Sequence, residues 1–123
     1  MRSRGRGART ESGAATAELA LGIPLLVALT AGLVWMLAVG AAQVRVIDAS
    51  REAARAVARG DDVASARQVA ARIAPEGARV QVDVGGTQVV VTTSARVTGP
   101  GGLLGSLPGV TVAAEAVAVV EES

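Results

Sequence analysis

Glu18 is a carboxylate set immediately before an uncharged run, Leu19–Ala42, and Asp61 and Asp62 form a second, adjacent pair of carboxylates. An ionised carboxylate at a membrane boundary costs about 2–3 kcal/mol even on lenient insertion scales. Glu18 therefore either has a charge partner or rests in the headgroup zone, where the positive end of a helix dipole tolerates an anion. Asp61 and Asp62 follow Gly60, a setting that invites a cation-binding or acid/base reading. At a helix start, however, capping accounts for them, with Asp61 as the capping residue. Asp48 with Arg51 and Glu52 with Arg55 stand at i,i+3 spacing. Pairs of this kind contribute about 0.2–0.5 kcal/mol each, so these charges read as a solvated face, with a protein-binding face as the alternative.

Other chemistries have no residues to carry them. The chain contains no Cys and no His, which removes disulfides, thiol nucleophiles, imidazole catalysis and nearly all transition-metal sites. No nucleophile, base and orienting group stand in a recognisable arrangement, so neither an enzyme nor a small-molecule substrate is indicated. The Gly-rich stretch Gly99–Gly109 lacks a Lys followed by Ser or Thr, so it does not read as a phosphate-cradling loop; its leucines are either partner contacts or a cover for a sheet. All twelve basic residues are Arg and the net charge is only +1. Without a clustered basic face, no nucleic-acid partner is expected. Neither a metal nor any other cofactor is expected.

The element that positions Glu18 is a long helix. Leu19–Ala42 spans about 36 Å at ~1.5 Å per residue, enough for a ~30 Å hydrocarbon core. Pro24 interrupts its hydrogen bonding and suits either a packing bend or simple tolerance in a membrane helix. Ala28 and Gly32 form a small-xxx-small pair that permits close helix approach. Helix continues past Ala42, because no Pro or Gly intervenes between Gln43 and Gly60 and the stretch is rich in Ala and Arg. A second helix follows, with Val63, Ala66, Ala70 and Ile73 at helical spacing, and Pro75 stops it.

After Pro75 the period changes to two. Val80, Val82 and Val84 alternate with polar residues, and beyond Gly85–Gly86 the residues Val89, Val91, Thr93, Ala95 and Val97 share a face, which predicts a hairpin. A third strand is expected over Val110–Val120. The fold class is therefore α+β: a long N-terminal transmembrane helix continuing outside the membrane, a second short helix and a small antiparallel sheet of about three strands. With Trp35 as the one aromatic residue, the head has a thin core, and neighbours in an assembly would add burial.

Orientation is nearly a tie by charge, with Arg2, Arg4, Arg6 and Arg9 before the apolar run and Arg45, Arg51, Arg55 and Arg59 after it. A secretory signal is the competing interpretation, since Val39-Gly40-Ala41 before Ala42 resembles a cleavage site, although the apolar run exceeds the usual ~7–15 residues. On that alternative the chain is a secreted or membrane-anchored binding module.

The segment Gly13-Ala14-Ala15-Thr16-Ala17-Glu18-Leu19-Ala20-Leu21 with Pro24, together with the Arg- and Glu-rich Asp48–Gly60, resembles the TadE-like minor pilins, or pseudopilins, of Tad/Flp-type tight-adherence pilus systems. Leu19 stands where an aromatic residue often follows the glutamate in that family. The resemblance implies a basic prepilin leader at 1–13, cut by a prepilin peptidase between Gly13 and Ala14. A transmembrane helix at 14–42, its extramembrane continuation at 43–60 and a small α+β head at 61–123 would follow. It also implies a single-pass protein of the cytoplasmic membrane with a cytoplasmic N-terminus and an extracytoplasmic head, or one carried into the pilus. Other pilins and pilus assembly proteins are the partners implied. The new Ala14 ammonium of one subunit would then pair with Glu18 of a neighbour, and Pro24, Ala28 and Gly32 would take part in packing.

Overall fold

The computed structural model describes residues 2–99 and 109–120, with side chains from residue 11 onward, so most of the expected Leu-bearing loop, residues 100–108, lies outside the described residues. In chain order the elements are α1 (Arg2–Ala58), α2 (Val63–Ile73), β1 (Arg79–Gly85), β2 (Gln88–Val97) and β3 (Val110–Val119). This is the α+β arrangement anticipated from the periodicities. The chain divides into two units, Met1–Val34 and Trp35–Ser123, and α1 contributes to both.

The first unit is helix without a core. Leu21 and Leu25 are 77% and 70% exposed, and the large apolar side chains from there to Val34 are exposed as well. A helix this long and apolar is consistent with a single-pass membrane anchor.

In the second unit the sheet has the order β1-β2-β3, antiparallel throughout. Gly85 pairs with Gln88 across the two-residue loop Gly86-Thr87. Among the described residues only glycines have positive φ, and Gly86, at +54°, supplies it at the first central position as a type II′ hairpin turn requires. The alternation expected on β2 is present: Val89, Val91, Thr93 and Ala95 are all buried. β3 ends at Val119, one residue earlier than expected, and the Val120 N–H donates instead to the Thr87 carbonyl at 2.8 Å.

The buried face of the sheet meets α1. Ala42, Val46, Ala49, Ser50, Ala53 and Val57 recur every three or four residues and are all buried, so one stripe of the helix lies on the sheet while its charges point outward. Ala66 and Ala70 of α2 complete this core. Most of these side chains are Ala or Val, so each contact buries little area.

The joints follow local rules. Gly60, with φ +105°, ends α1 by a Schellman motif: its N–H donates to the Val57 carbonyl and the Asp61 N–H to the Ala56 carbonyl, both at 3.0 Å. That closure corrects the expected cap of α2. Asp61 is committed to the end of α1, and its carboxylate lies 3.8 Å from Arg59, whereas Asp62 is the N-cap and accepts from the Ser65 N–H at 2.9 Å. Pro75 ends α2 as expected, and the Ala78 N–H donates to the Pro75 carbonyl at 3.2 Å across a turn with Gly77 at φ +77°.

Candidate functional site

Gly13, Ala14, Glu18, Pro24, Ala28 and Gly32 all lie on α1 within the first unit. Glu18 is exposed and, among the described residues, has no ion-pair partner in its own chain. Its nearest upstream anchor is local: the Thr16 hydroxyl donates to the Ser12 carbonyl at 2.8 Å, tying the turn that contains Gly13 and Ala14. Pro24 sits inside the helix, where it offers no N–H to the Ala20 carbonyl.

Helical geometry groups these residues. At about 100° per residue, Ala14, Glu18, Ala28 and Gly32 fall within about 80° of one another around the axis, and Pro24 borders that stripe. Ala14 and Glu18 are one turn apart, about 6 Å along the axis. The stripe thus carries a carboxylate near one end, the exposed Leu21 and Leu25 in its middle, and the small Ala28 and Gly32 at the other end. A neighbouring helix can approach closely at Ala28 and Gly32, and a cation on that neighbour would find Glu18 at the rim.

The charged pairs of the second unit are peripheral. Glu52 reaches Arg55 at 4.0 Å as the spacing predicted, and also Arg59 at 3.9 Å. The expected pair of Asp48 with Arg51 does not form: both side chains are exposed and neither appears in an ion pair among the described residues. Solvent satisfies such groups at almost no cost, so nothing forces them together. Ser65 lowers the Asp62 carboxyl below its ordinary value, chiefly through the hydroxyl hydrogen bond and then through its N–H. Among the described residues no cluster of acidic side chains is arranged to hold a metal ion.

One polar site escaped the sequence reading. The Ser50 hydroxyl donates to Thr93 Oγ1 at 2.7 Å and approaches the Ala114 carbonyl at 3.1 Å, with Ser50 and Thr93 both fully enclosed. Gln43 adds a second tie, its Nε2 donating to the Ala113 carbonyl at 3.2 Å. Together they fasten α1 to β2 and β3. The available signal was the position of Ser50 on the same three-to-four-residue stripe as Val46, Ala49 and Ala53.

Comparison with known proteins bears on α1 most directly. Residues 13–55 match the family described as TadE-like protein, a range that includes Gly13 and the five residues of the stripe and its border and ends within α1. The chain is also similar to apoptosis inhibitor Rv3655c of Mycobacterium tuberculosis, 49% identical over 79 residues, which is 64% of this chain and 57% of that protein. The chain therefore spans little more than half the length of the curated relative it matches. No solved structure matches.

Proposed function

We propose, on the premise that residues 13–55 form a TadE-like segment, that this chain is a minor pilin or pseudopilin. It would be a structural, non-enzymatic component in the assembly of a Tad/Flp-type pilus or related secretion machine. The observation that carries the reading is the stripe on an uncovered apolar helix, with Glu18 at its rim and Ala28 and Gly32 farther along.

In this reading a prepilin peptidase cuts between Gly13 and Ala14, with the N-terminus cytoplasmic and the head extracytoplasmic. Gly13 favours that step, since a glycine costs a helix about 0.5–1 kcal/mol relative to alanine and makes this turn easier to unwind. Cleavage frees the Ala14 ammonium. Placed beside Glu18 of a neighbouring subunit, it forms a charge pair that is favourable in low dielectric only while both ends are matched. The one-turn separation of Ala14 and Glu18 sets the axial offset between neighbours at about 6 Å. Glu18→Ala should leave membrane insertion intact and abolish or sharply reduce incorporation with other pilins; incorporation at the wild-type level would remove the role given to the carboxylate.

The deciding experiment is the N-terminal residue and intact mass of protein recovered from membranes, with and without a co-expressed prepilin peptidase. A peptidase-dependent start at Ala14 with the apolar segment retained supports the proposal. An uncleaved chain beside an active peptidase refutes it. A start at Ala42 would instead support a secreted or membrane-anchored binding module.

A further inference from the structure

Three arginines from three elements converge at one end of the second unit. One cleft, of about 460 Å³, is lined by Arg79 of β1, Ser94 and Arg96 of β2 and Thr111 of β3. A second, of about 390 Å³, is lined by Arg96 again together with Arg45, Ala38, Ala41 and Thr98. The strand register explains the first cleft, because Arg79 pairs with Ser94 and Arg96 with Thr111, placing two guanidinium groups and two hydroxyls side by side. Gly109 fixes one of them: a Cβ there would stand 2.7 Å from Arg96 Nε, so the arginine stem lies directly on the glycine backbone.

Among the described residues no carboxylate lines either cleft, and Glu76 in the adjoining turn lines neither. Arg55 and Arg59 by contrast have Glu52 and Asp61 nearby. Among the described residues Arg45, Arg79 and Arg96 have no ion-pair partner. The place of the cluster is the second observation. This end of the sheet packs on Ala42 and Val46, and Ala42 is the last residue before Gln43 and then Arg45 bring polar side chains to the helix. Arg45 lies only about 4.5 Å farther along α1. A helix that leaves the hydrocarbon at Ala42 brings Arg45, Arg79 and Arg96 to the depth of the lipid phosphates, and guanidinium groups bind phosphate oxygens through paired N–H donors.

We infer that Arg45, Arg79 and Arg96, with the Ser94 and Thr111 hydroxyls, form a binding site for phospholipid headgroup phosphate that seats the head on the bilayer. This rests on the membrane-anchor reading of α1. The chain has no cysteine, so single labels are unique. Full-length Ala113→Cys, Gln88→Cys and Leu26→Cys proteins carry a spin label in vesicles of phosphatidylcholine and phosphatidylglycerol doped with a nickel-chelating headgroup lipid. Ala113 neighbours the cluster, whereas Gln88 lies about 20 Å farther along the sheet. The Ala113 label should relax several-fold faster than the Gln88 label, with the difference lost in Arg79→Gln/Arg96→Gln. Equal relaxation of the two labels, or an unchanged difference in that double variant, overturns the inference. Release of the head by millimolar inorganic phosphate also overturns the lipid assignment, in favour of a soluble-anion site. The Leu26 label separates the two levels: if it lies outside the lipid, anchor and headgroup site both fall, and if it lies inside while Ala113 stays remote, only the headgroup site falls.

Discussion

The buried hydroxyl pair of Ser50 and Thr93 makes a quantitative prediction that bears on how the head is held. Ser50 is 1% exposed and Thr93 is 0% exposed, so neither can turn to water when the other is removed. Ser50→Ala strands the Thr93 hydroxyl in the core and withdraws a donor from the Ala114 carbonyl. An orphaned buried polar group costs about 1–3 kcal/mol, and this variant should fall in the upper half of that range. Thr93→Val is gentler. The side chain keeps its shape, and Ser50 can still donate to the Ala114 carbonyl, so about 1 kcal/mol or less is expected. The double variant no longer contains an orphaned Thr93 hydroxyl, and its cost should fall short of the sum of the single costs by about 1 kcal/mol. Urea unfolding of the full chain in micelles, followed by far-UV circular dichroism, measures all three. Equal single costs that add within about 0.3 kcal/mol would show that the two hydroxyls do not depend on each other.

Three further outcomes follow from the joints and charges. Asp62→Ala should speed hydrogen exchange at the Ser65 amide, after correction for intrinsic rates, whereas Asp62→Asn keeps an acceptor and most of the protection. Because hydrogen bonds from Ser65 lower the Asp62 carboxyl, its contribution is present above the ordinary value of 3.8 and is lost as pH falls through the lower folded-state value. Protection at Ser65 should therefore decline in acid below 3.8 in the wild type, and a flat profile would contradict the cap. Gly60→Ala places a Cβ at φ +105° and should cost about 1–2 kcal/mol, read as a lower urea midpoint; an unchanged midpoint would contradict the Schellman closure. Glu52→Gln removes the anion facing Arg55 and Arg59 at 4.0 and 3.9 Å, but all three side chains are well exposed. The loss should not exceed about 0.5 kcal/mol, and a larger one that persists in high salt would mean the three charges act as a network.

The strongest periodic signals in the sequence correspond to the observed elements. The uncharged run, the Gly60 and Pro75 punctuation, the Gly85–Gly86 turn and the alternating valines are local features, and local chemistry decides them. Partner choice is less visible. Asp61 and Asp62 are equivalent as letters, and only the backbone closure of α1 leaves Asp62 as the cap. In Asp48–Gly60 the exposed arginines draw the eye to a solvated face, while Ala49, Ser50, Ala53 and Val57 between them form the covered one. Ser50 acquires its role from Thr93, 43 positions away, a separation no short window contains. The juxtaposition of Arg79 and Arg96 is likewise set by strand register, and that of Arg45 with Arg96 by the seating of α1 on the sheet. For the stripe from Ala14 to Gly32 the sequence is informative without tertiary structure, because a helix with no core has only its own pitch to obey.

The face that α1 lays on the sheet is almost uniform, alanine and valine at intervals close to one helical turn. A screw thread of that kind has several settings. Shifted by one turn, about 5.4 Å, the helix would offer the sheet nearly the same small side chains and lose little apolar contact. Ser50 breaks the equivalence, since at any other setting its hydroxyl and that of Thr93 would face hydrocarbon. If axial load is transmitted from the apolar helix, this hydroxyl pair is the catch that keeps α1 from ratcheting along the sheet.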